Sequence, residues 1–145
     1  MIILSGATAT ILFGLAVLHV LWGLRVWWPI ADEATLARAV AGFPGISAMP
    51  APASCFIVAA FLACAAMLVL DLGGIFQPDF RLLKILGGVA LAGILMIRGI
   101  LGYLPIWARL TPEQPFRTLD ILYYSPLCLA LGISIAILVF GVVRS

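Results

Sequence analysis

The side chains best suited to chemistry lie within or beside long apolar runs of the chain. Arg98 interrupts ILMIRGILGYLP, residues 94–105, and a histidine stands in the apolar stretch that opens the sequence. Ionisable groups are costly inside a membrane, so those that occur there usually pair with one another or serve a function. The candidate ligand-binding residues are His19, Trp22, Arg98, Asp120, Tyr123, Tyr124 and Ser125.

Arg98 has two possible roles. Its guanidinium can pair with Asp120 and with backbone carbonyls, which would fix the third apolar run against the fourth. The same planar fork of N–H donors can hold an anionic or carbonyl group of a ligand. The two roles are compatible, and the sequence leaves both open.

His19 is the single histidine of the chain. A hydrogen-bonded interior histidine is the simplest interpretation, although one imidazole can also ligate a haem or a magnesium tetrapyrrole. Haem held by two histidines would need a second chain. The three cysteines form no CxxC pair, and we therefore expect no metal site and no cofactor.

Catalytic signatures are also missing from the sequence. It contains no nucleophile elbow, phosphate-binding loop, carboxylate pair or metal motif. Asp120 is the only carboxylate that we place near the other candidate residues, so acid–base chemistry would have to use His19. We assign no catalytic residue.

The elements that position these side chains follow from composition. The chain has 145 residues, of which 65% are hydrophobic and 10% charged, with a mean hydropathy of +1.25. A membrane-spanning helix needs about 20 mostly apolar residues, and the chain offers four such runs: 2–28, 52–72, 82–107 and 119–143, the last with a second possible start at Pro126. We predict an all-α, polytopic membrane protein, one four-transmembrane-helix bundle over residues 1–145.

Four spans place both termini on one side of the bilayer, which we call the terminal side. The two longer connections, 29–51 and 108–118, lie on the other, the loop side. Arg98 is nine residues before Trp107, and His19 is nine residues before Trp28, so both would lie about 13 Å deep if the tryptophans mark the interface. The sequence therefore predicts a polar layer open to the loop side.

Helical spacing arranges further residues in stripes. It aligns His19, Trp22 and Val26, and separately Asp120, Tyr124 and Cys128. Small residues recur at four-residue spacing in the first span, at Gly6, Thr10 and Gly14, which favours close packing inside the bundle. In the first connection Asp32 can cap a short helix from Glu33 to Ala41, which could lie along the membrane interface.

The stretch IRGILGYLPIWARLTPEQPFRTLDILYYSPLCLALG, together with HVLWGL in the first span, resembles the bacterial family called domain of unknown function 3995. The resemblance implies a small four-span membrane protein and supplies no reaction. The residues on the family pattern are His19, Trp22, Arg98, Phe116, Asp120, Tyr124, Ser125, Pro126, Leu127 and Cys128.

Three functions stay open. The polar layer could bind an amphipathic small molecule, a lipid or a quinone-like ligand. The chain could be an accessory subunit that stabilises a larger membrane complex, or a small enzyme that uses His19 as acid or base. We expect the bilayer of a bacterial inner (cytoplasmic) membrane as its surroundings, and no nucleic-acid partner, because the net charge of +2 is small and scattered.

Overall fold

The computed structural model describes residues 1–76 and 80–144, and the regular elements of these two ranges are all helices. In chain order they are α1 (Ile2–Gly23), α2 (Glu33–Val40), α3 (Pro52–Leu72), α4 (Arg81–Leu101), α5 (Pro105–Leu110), α6 (Phe116–Leu119), a π-helical turn (Asp120–Tyr124) and α7 (Ser125–Arg144). Four helical segments are long and apolar enough to cross a membrane. The prediction of an all-α, multi-pass membrane protein is confirmed. Part of the turn between the second and third spans lies outside the described residues.

The first span ends earlier than the predicted range 2–28. The backbone N–H of Arg25 donates to the Trp22 carbonyl, and that of Val26 donates to the Leu21 carbonyl. With Arg25 at φ +60°, this is the Schellman motif that commonly closes a helix. Glycine normally occupies the left-handed position. Because arginine stands there instead, the sequence lacks the usual signal for the end of a helix.

The second span, α3, has the bounds 52–72 that the sequence indicated. It closes with the same motif, in which Gly74 takes the left-handed position at φ +87°. An L-residue in that conformation costs about 1–2 kcal/mol more than in a right-handed helix, and glycine escapes most of that cost. In α1 the left-handed residue is Arg25, so that helix end carries the full conformational cost.

The third span is also shorter than the predicted range 82–107. α4 ends at Leu101, and Pro105 opens α5. A proline disfavours the helical conformation in the residue before it, and Leu104 is accordingly extended at φ −82° and ψ 144°. The chain therefore turns back towards the bundle instead of continuing to residue 107 as one helix.

The last span begins before either predicted start. Residues Phe116–Arg144 form one continuous helical segment. Within it the backbone N–H of Ser125 donates to the carbonyl of Asp120, five residues earlier, which makes one π-helical turn. The freed carbonyl of Ile121 accepts a long hydrogen bond from Tyr103 Oη, at 3.3 Å. Pro126 follows the π turn without ending the helix.

The bundle consists of two closely packed helix pairs. α1 packs along α3, and α4 packs along α7, whereas contacts between the pairs are sparser. In the second pair Gly99 lies against Leu129, and Gly132 lies against Met96, with no room for a Cβ atom at either glycine. The main apolar core joins the pairs around Leu12 and other buried side chains.

The small residues predicted to pack in α1 face outward. A Cβ atom added to Gly6 or Gly14 would meet nothing within 4 Å, and Thr10 is exposed. α1 instead packs through a different face, which includes Ala9 and Ala16. The prediction for the Gly6–Thr10–Gly14 stripe is therefore wrong, because four-residue spacing identifies a stripe but not the direction in which it faces.

α2 covers the loop side of the bundle, and we call this helix, Glu33–Val40, the roof. The Asp32 carboxylate accepts hydrogen bonds from the hydroxyl of Thr35 at 2.6 Å and from its backbone N–H at 2.8 Å, and these bonds lower the Asp32 pKa. Leu36, Ala37 and Ala39 are buried. The apolar face of α2 thus packs on the protein.

The end of α1 generates a prediction about stability. Arg25→Gly should raise the free energy of unfolding by about 1 kcal/mol, because glycine adopts positive φ without the steric cost. Its exposed ion pair with Glu33, at 3.7 Å, is expected to contribute less than that. The measurement is unfolding in detergent.

Leu24→Gly provides the control, since Leu24 is exposed and has an ordinary φ of −83°. This neighbouring glycine should be neutral or destabilising. A loss of stability in Arg25→Gly as large as in Leu24→Gly would contradict the interpretation.

Candidate functional site

The loop side of the bundle is organised around one fully buried carboxylate. Asp120 has no exposed surface. Its Oδ1 accepts from Arg98 Nη2 at 2.7 Å and from Ser125 Oγ at 3.2 Å, and its Oδ2 accepts from Trp107 Nε1 at 2.9 Å. Arg117 Nη1 lies 3.9 Å from the same Oδ2. A buried charge is tolerated when it is paired and hydrogen-bonded in this way.

The π turn determines which side chains meet in this cluster. Because it inserts one residue into the helical repeat, Asp120 and Ser125 lie on the same face although they are five positions apart. A regular helix would instead align Asp120 with Tyr124 and Cys128, which is the stripe that helical spacing predicts. That stripe is broken: Tyr124 and Cys128 line a cavity, and Asp120 lies outside its lining.

Arg98 connects the buried cluster with the cavity. It stands in the last turn of α4, and its side chain is 29% exposed. The guanidinium carbon lies 4.8 Å from the centre of the Trp107 ring, within the range of a cation–π contact. Its Nη1 is 3.5 Å from Ser125 Oγ, the long limit of a hydrogen bond. Arg98 therefore braces α4 against the last span and also faces the cavity.

The predicted depth of about 13 Å for Arg98 depended on a straight helix to Trp107. Since α4 ends at Leu101, Arg98 is about 5 Å along the axis from the end of its helix. His19 is similarly about 6 Å from the end of α1 at Gly23. The two residues still belong to one layer, but that layer lies closer to the helix ends than the sequence suggested.

Two further members of the cluster were missed as site residues. The sequence indicates Trp107 as a marker of the interface and places Arg117 in the connection 108–118, yet both reach Asp120. Arg117 also donates to the Gly102 carbonyl at 2.6 Å. The turn at Pro105 could have indicated that Trp107 folds back, because a proline there prevents α4 from continuing.

The cavity lies between the two helix pairs, beneath α2. It has a volume of about 610 Å³ and opens to the surroundings. Its wall is mainly apolar and includes Leu15, Leu62, Leu95 and Leu131. Volumes of about 300–1,000 Å³ with apolar walls and a few polar groups are typical of small-molecule sites.

His19 and Trp22 line the α1 side of the cavity. His19 Nδ1 lies 2.8 Å from the Leu15 carbonyl, and because a carbonyl only accepts, Nδ1 carries the proton and Nε2 keeps the lone pair in the neutral ring. The Trp22 indole N–H donates to the Trp28 carbonyl at 2.9 Å. Val26 lies beyond the end of α1, so the predicted stripe does not include it.

The two tyrosines diverge. Tyr124 lines the cavity and donates its hydroxyl to the Ala39 carbonyl of α2 at 3.0 Å, which ties the roof to the last span. Tyr123 is 63% exposed on the outside of the bundle. Unlike Tyr124, Tyr123 does not line the cavity.

The structure therefore divides the predicted site residues into three groups. His19, Trp22, Arg98 and Tyr124 line the cavity; Asp120 and Ser125 form the buried cluster behind Arg98; Tyr123 faces outward. Within residues 1–76 and 80–144, no group of histidine, cysteine and acidic side chains is arranged to hold a metal ion.

The arginine–aspartate pair generates a double-mutant prediction. Arg98→Ala and Asp120→Ala should each lower the free energy of unfolding by about 3–5 kcal/mol. Arg98→Ala removes the nearest cation from a buried carboxylate, and Asp120→Ala removes the counter-ion that Arg98 and Arg117 share. Arg98→Ala/Asp120→Ala should cost no more than either single change. Arg109→Ala, at an exposed residue of α5, is the control and should have little effect. Additive losses, measured by unfolding in detergent, would contradict the pairing.

One comparison with known proteins identifies a family. The model of the family described as "Protein of unknown function (DUF3995)" matches residues 12–135. No curated protein and no solved structure matches the chain. The matched range includes α1 from Leu12 onward, the roof, the cavity and the Asp120 cluster. The chain belongs to the DUF3995 family of proteins of unknown function.

Proposed function

We propose that this protein is a membrane-embedded binding protein for an amphipathic small molecule, a lipid or a quinone-like compound. The observation that carries the proposal is the 610 Å³ cavity, whose wall is apolar except at a few positions. An apolar body would fill the space between the helix pairs, and a polar end would meet Arg98. Such a division is the usual design of small-molecule sites.

The roof supports this proposal. α2 and the following loop are tied to residues 113–124 by the Tyr124 hydroxyl and by the Glu113 carboxylate, which accepts from the Gly45 N–H at 2.9 Å. Phe116 fills the space beside Gly42, where φ is +69° and a Cβ atom would clash. Hydrogen bonds and packing therefore hold in place the chain segments that cover the cavity.

The alternatives have weaker support. An enzyme using His19 would need a second proton-transfer group, but the ring of His19 bonds to the Leu15 carbonyl, and Asp120 is bound within its own cluster. An accessory subunit would need a face for a partner, and the exposed apolar side chains of the spans are equally suited to lipid. We propose the bacterial cytoplasmic membrane as the location, since outer-membrane proteins typically span as β-barrels.

Blocking the cavity tests the proposal. Cys128→Trp places a large side chain at a position that lines the cavity, and Cys64→Trp makes the same change on an exposed face of α3. Protein is released gently from its membrane and measured by native mass spectrometry. A small-molecule mass should stay with the wild type and with Cys64→Trp, and should fall at least about tenfold in Cys128→Trp.

Folding of both variants is checked by the unfolding midpoint. Equal retention by the two variants would place the molecule outside the cavity and contradict the proposal. Release with other polypeptides, and with no small-molecule mass, would favour the accessory subunit instead.

A further inference from the structure

We infer that the cavity binds a single-chain lipid whose polar end carries one negative charge. The inference rests on the proposed function and specifies its ligand. It follows from three features of the loop side: the charge balance around Asp120, the donors that remain free in the cavity wall, and the volume available.

The charge balance of the buried cluster is positive. Arg98 and Arg117 both lie within ion-pair distance of Asp120, at 2.7 and 3.9 Å. Two guanidinium groups face one carboxylate, and arginine stays protonated inside proteins. One positive charge is therefore left uncompensated beside a fully buried carboxylate, on side chains that are 29% and 18% exposed. Charge interactions between partly buried groups are stronger than in bulk water.

The other acidic residues of the described chain have partners elsewhere. The Asp32 carboxylate caps α2, and Glu33 pairs with Arg25. Asp71 pairs with Lys84 at 3.5 Å, on the terminal side, and Glu113 binds the Gly45 N–H. None of these four forms an ion pair with Arg98 or Arg117. The missing negative charge is thus best supplied by a bound molecule.

The cavity wall also selects an acceptor. Three of its polar side chains donate to backbone carbonyls: His19 Nδ1 to Leu15, Trp22 to Trp28 and Tyr124 to Ala39. Arg98 differs, because a guanidinium has five N–H donors and only two of its hydrogen bonds are made within the cluster. A carboxylate or phosphate can accept from the remaining donors.

The cavity volume limits the rest of the ligand. About 610 Å³ corresponds to the size range of drug-like molecules. The apolar wall extends from Arg98 towards the main core at Leu12 and Leu131. A ligand with one acyl chain and a head at Arg98 fits this shape, whereas a two-chain phospholipid would leave one chain outside.

A charge series with a constant chain tests the inference. Protein in phosphatidylcholine nanodiscs is equilibrated with radiolabelled oleate, oleyl alcohol or oleylamine, and binding to empty nanodiscs is subtracted. Oleate should bind about tenfold or more tightly than oleyl alcohol, and oleylamine should bind most weakly. Equal affinities for the three probes would overturn the inference.

Arg117→Gln isolates the contribution of charge. Arg117 does not line the cavity, and a glutamine amide can still donate a hydrogen bond towards Gly102. The variant should reduce the preference for oleate over oleyl alcohol by about tenfold, with affinity for the alcohol unchanged. Arg109→Gln removes the same charge from an exposed site on α5 and should preserve the preference. An unchanged preference in Arg117→Gln would overturn the charge argument.

The remaining outcomes separate this inference from the proposed function. If all three probes bind equally and Cys128→Trp abolishes their binding, the cavity is a binding site but does not select an anion. If none binds and no small molecule is retained from the native membrane, both proposals fail. Unlabelled phosphatidylglycerol is also tested as a competitor. If it displaces radiolabelled oleate as effectively as unlabelled oleate does, the ligand's negative charge belongs to a phospholipid head, and the inference of a single-chain lipid is overturned.

Discussion

The ion pair between Arg98 and Asp120 constrains the whole loop side of this bundle. A carboxylate with no exposed surface must be compensated within a few ångströms, because its desolvation otherwise costs several kcal/mol. Three different segments meet that requirement: the last turn of α4, the folded-back α5 with Trp107, and the start of the last span with Arg117. A Cβ atom on Gly102 would clash with the Ser125 side chain. The backbone at Gly102 therefore packs directly against the Asp120 cluster.

The sequence predicts the fold class and the main pair for physical reasons. Membrane spans need long apolar runs, and a charge inside such a run needs a partner. These requirements depend on residue type alone, so Arg98 and Asp120 could be matched without coordinates. The position of Trp107 depends instead on the chain direction after Pro105, and that of Ser125 on one π turn. Neither leaves a periodic signal, because each changes the helical phase only locally.

The spacing of small residues can be predicted from the sequence, but the direction in which they face cannot. Spacing identified Gly6, Thr10 and Gly14 as a stripe, yet the helix presents it outward, whereas Gly99 and Gly132 hold α4 and α7 together. In water, hydrophobicity would separate the buried face from the exposed one. Inside a bilayer both faces are apolar, so packing and not polarity determines which face turns inward. The direction of a stripe then depends on the neighbouring helices, which a single sequence does not specify.

The cavity follows from this arrangement of two tight pairs joined by a shared core. The core closes the gap between the pairs around Leu12 and Leu138, while nearer the loop side the pairs are held by the roof and by the Asp120 cluster. If a closed space of this volume stayed void, at about 24 cal/mol per Å³ it would cost on the order of 15 kcal/mol, comparable with the stability of a whole domain of about 5–15 kcal/mol. The opening to the surroundings removes that cost, because lipid chains or a ligand can enter. If the proposed ligand enters, an anionic head would gain most beside Arg98, because Arg98 is the one arginine, lysine, aspartate or glutamate in the described wall.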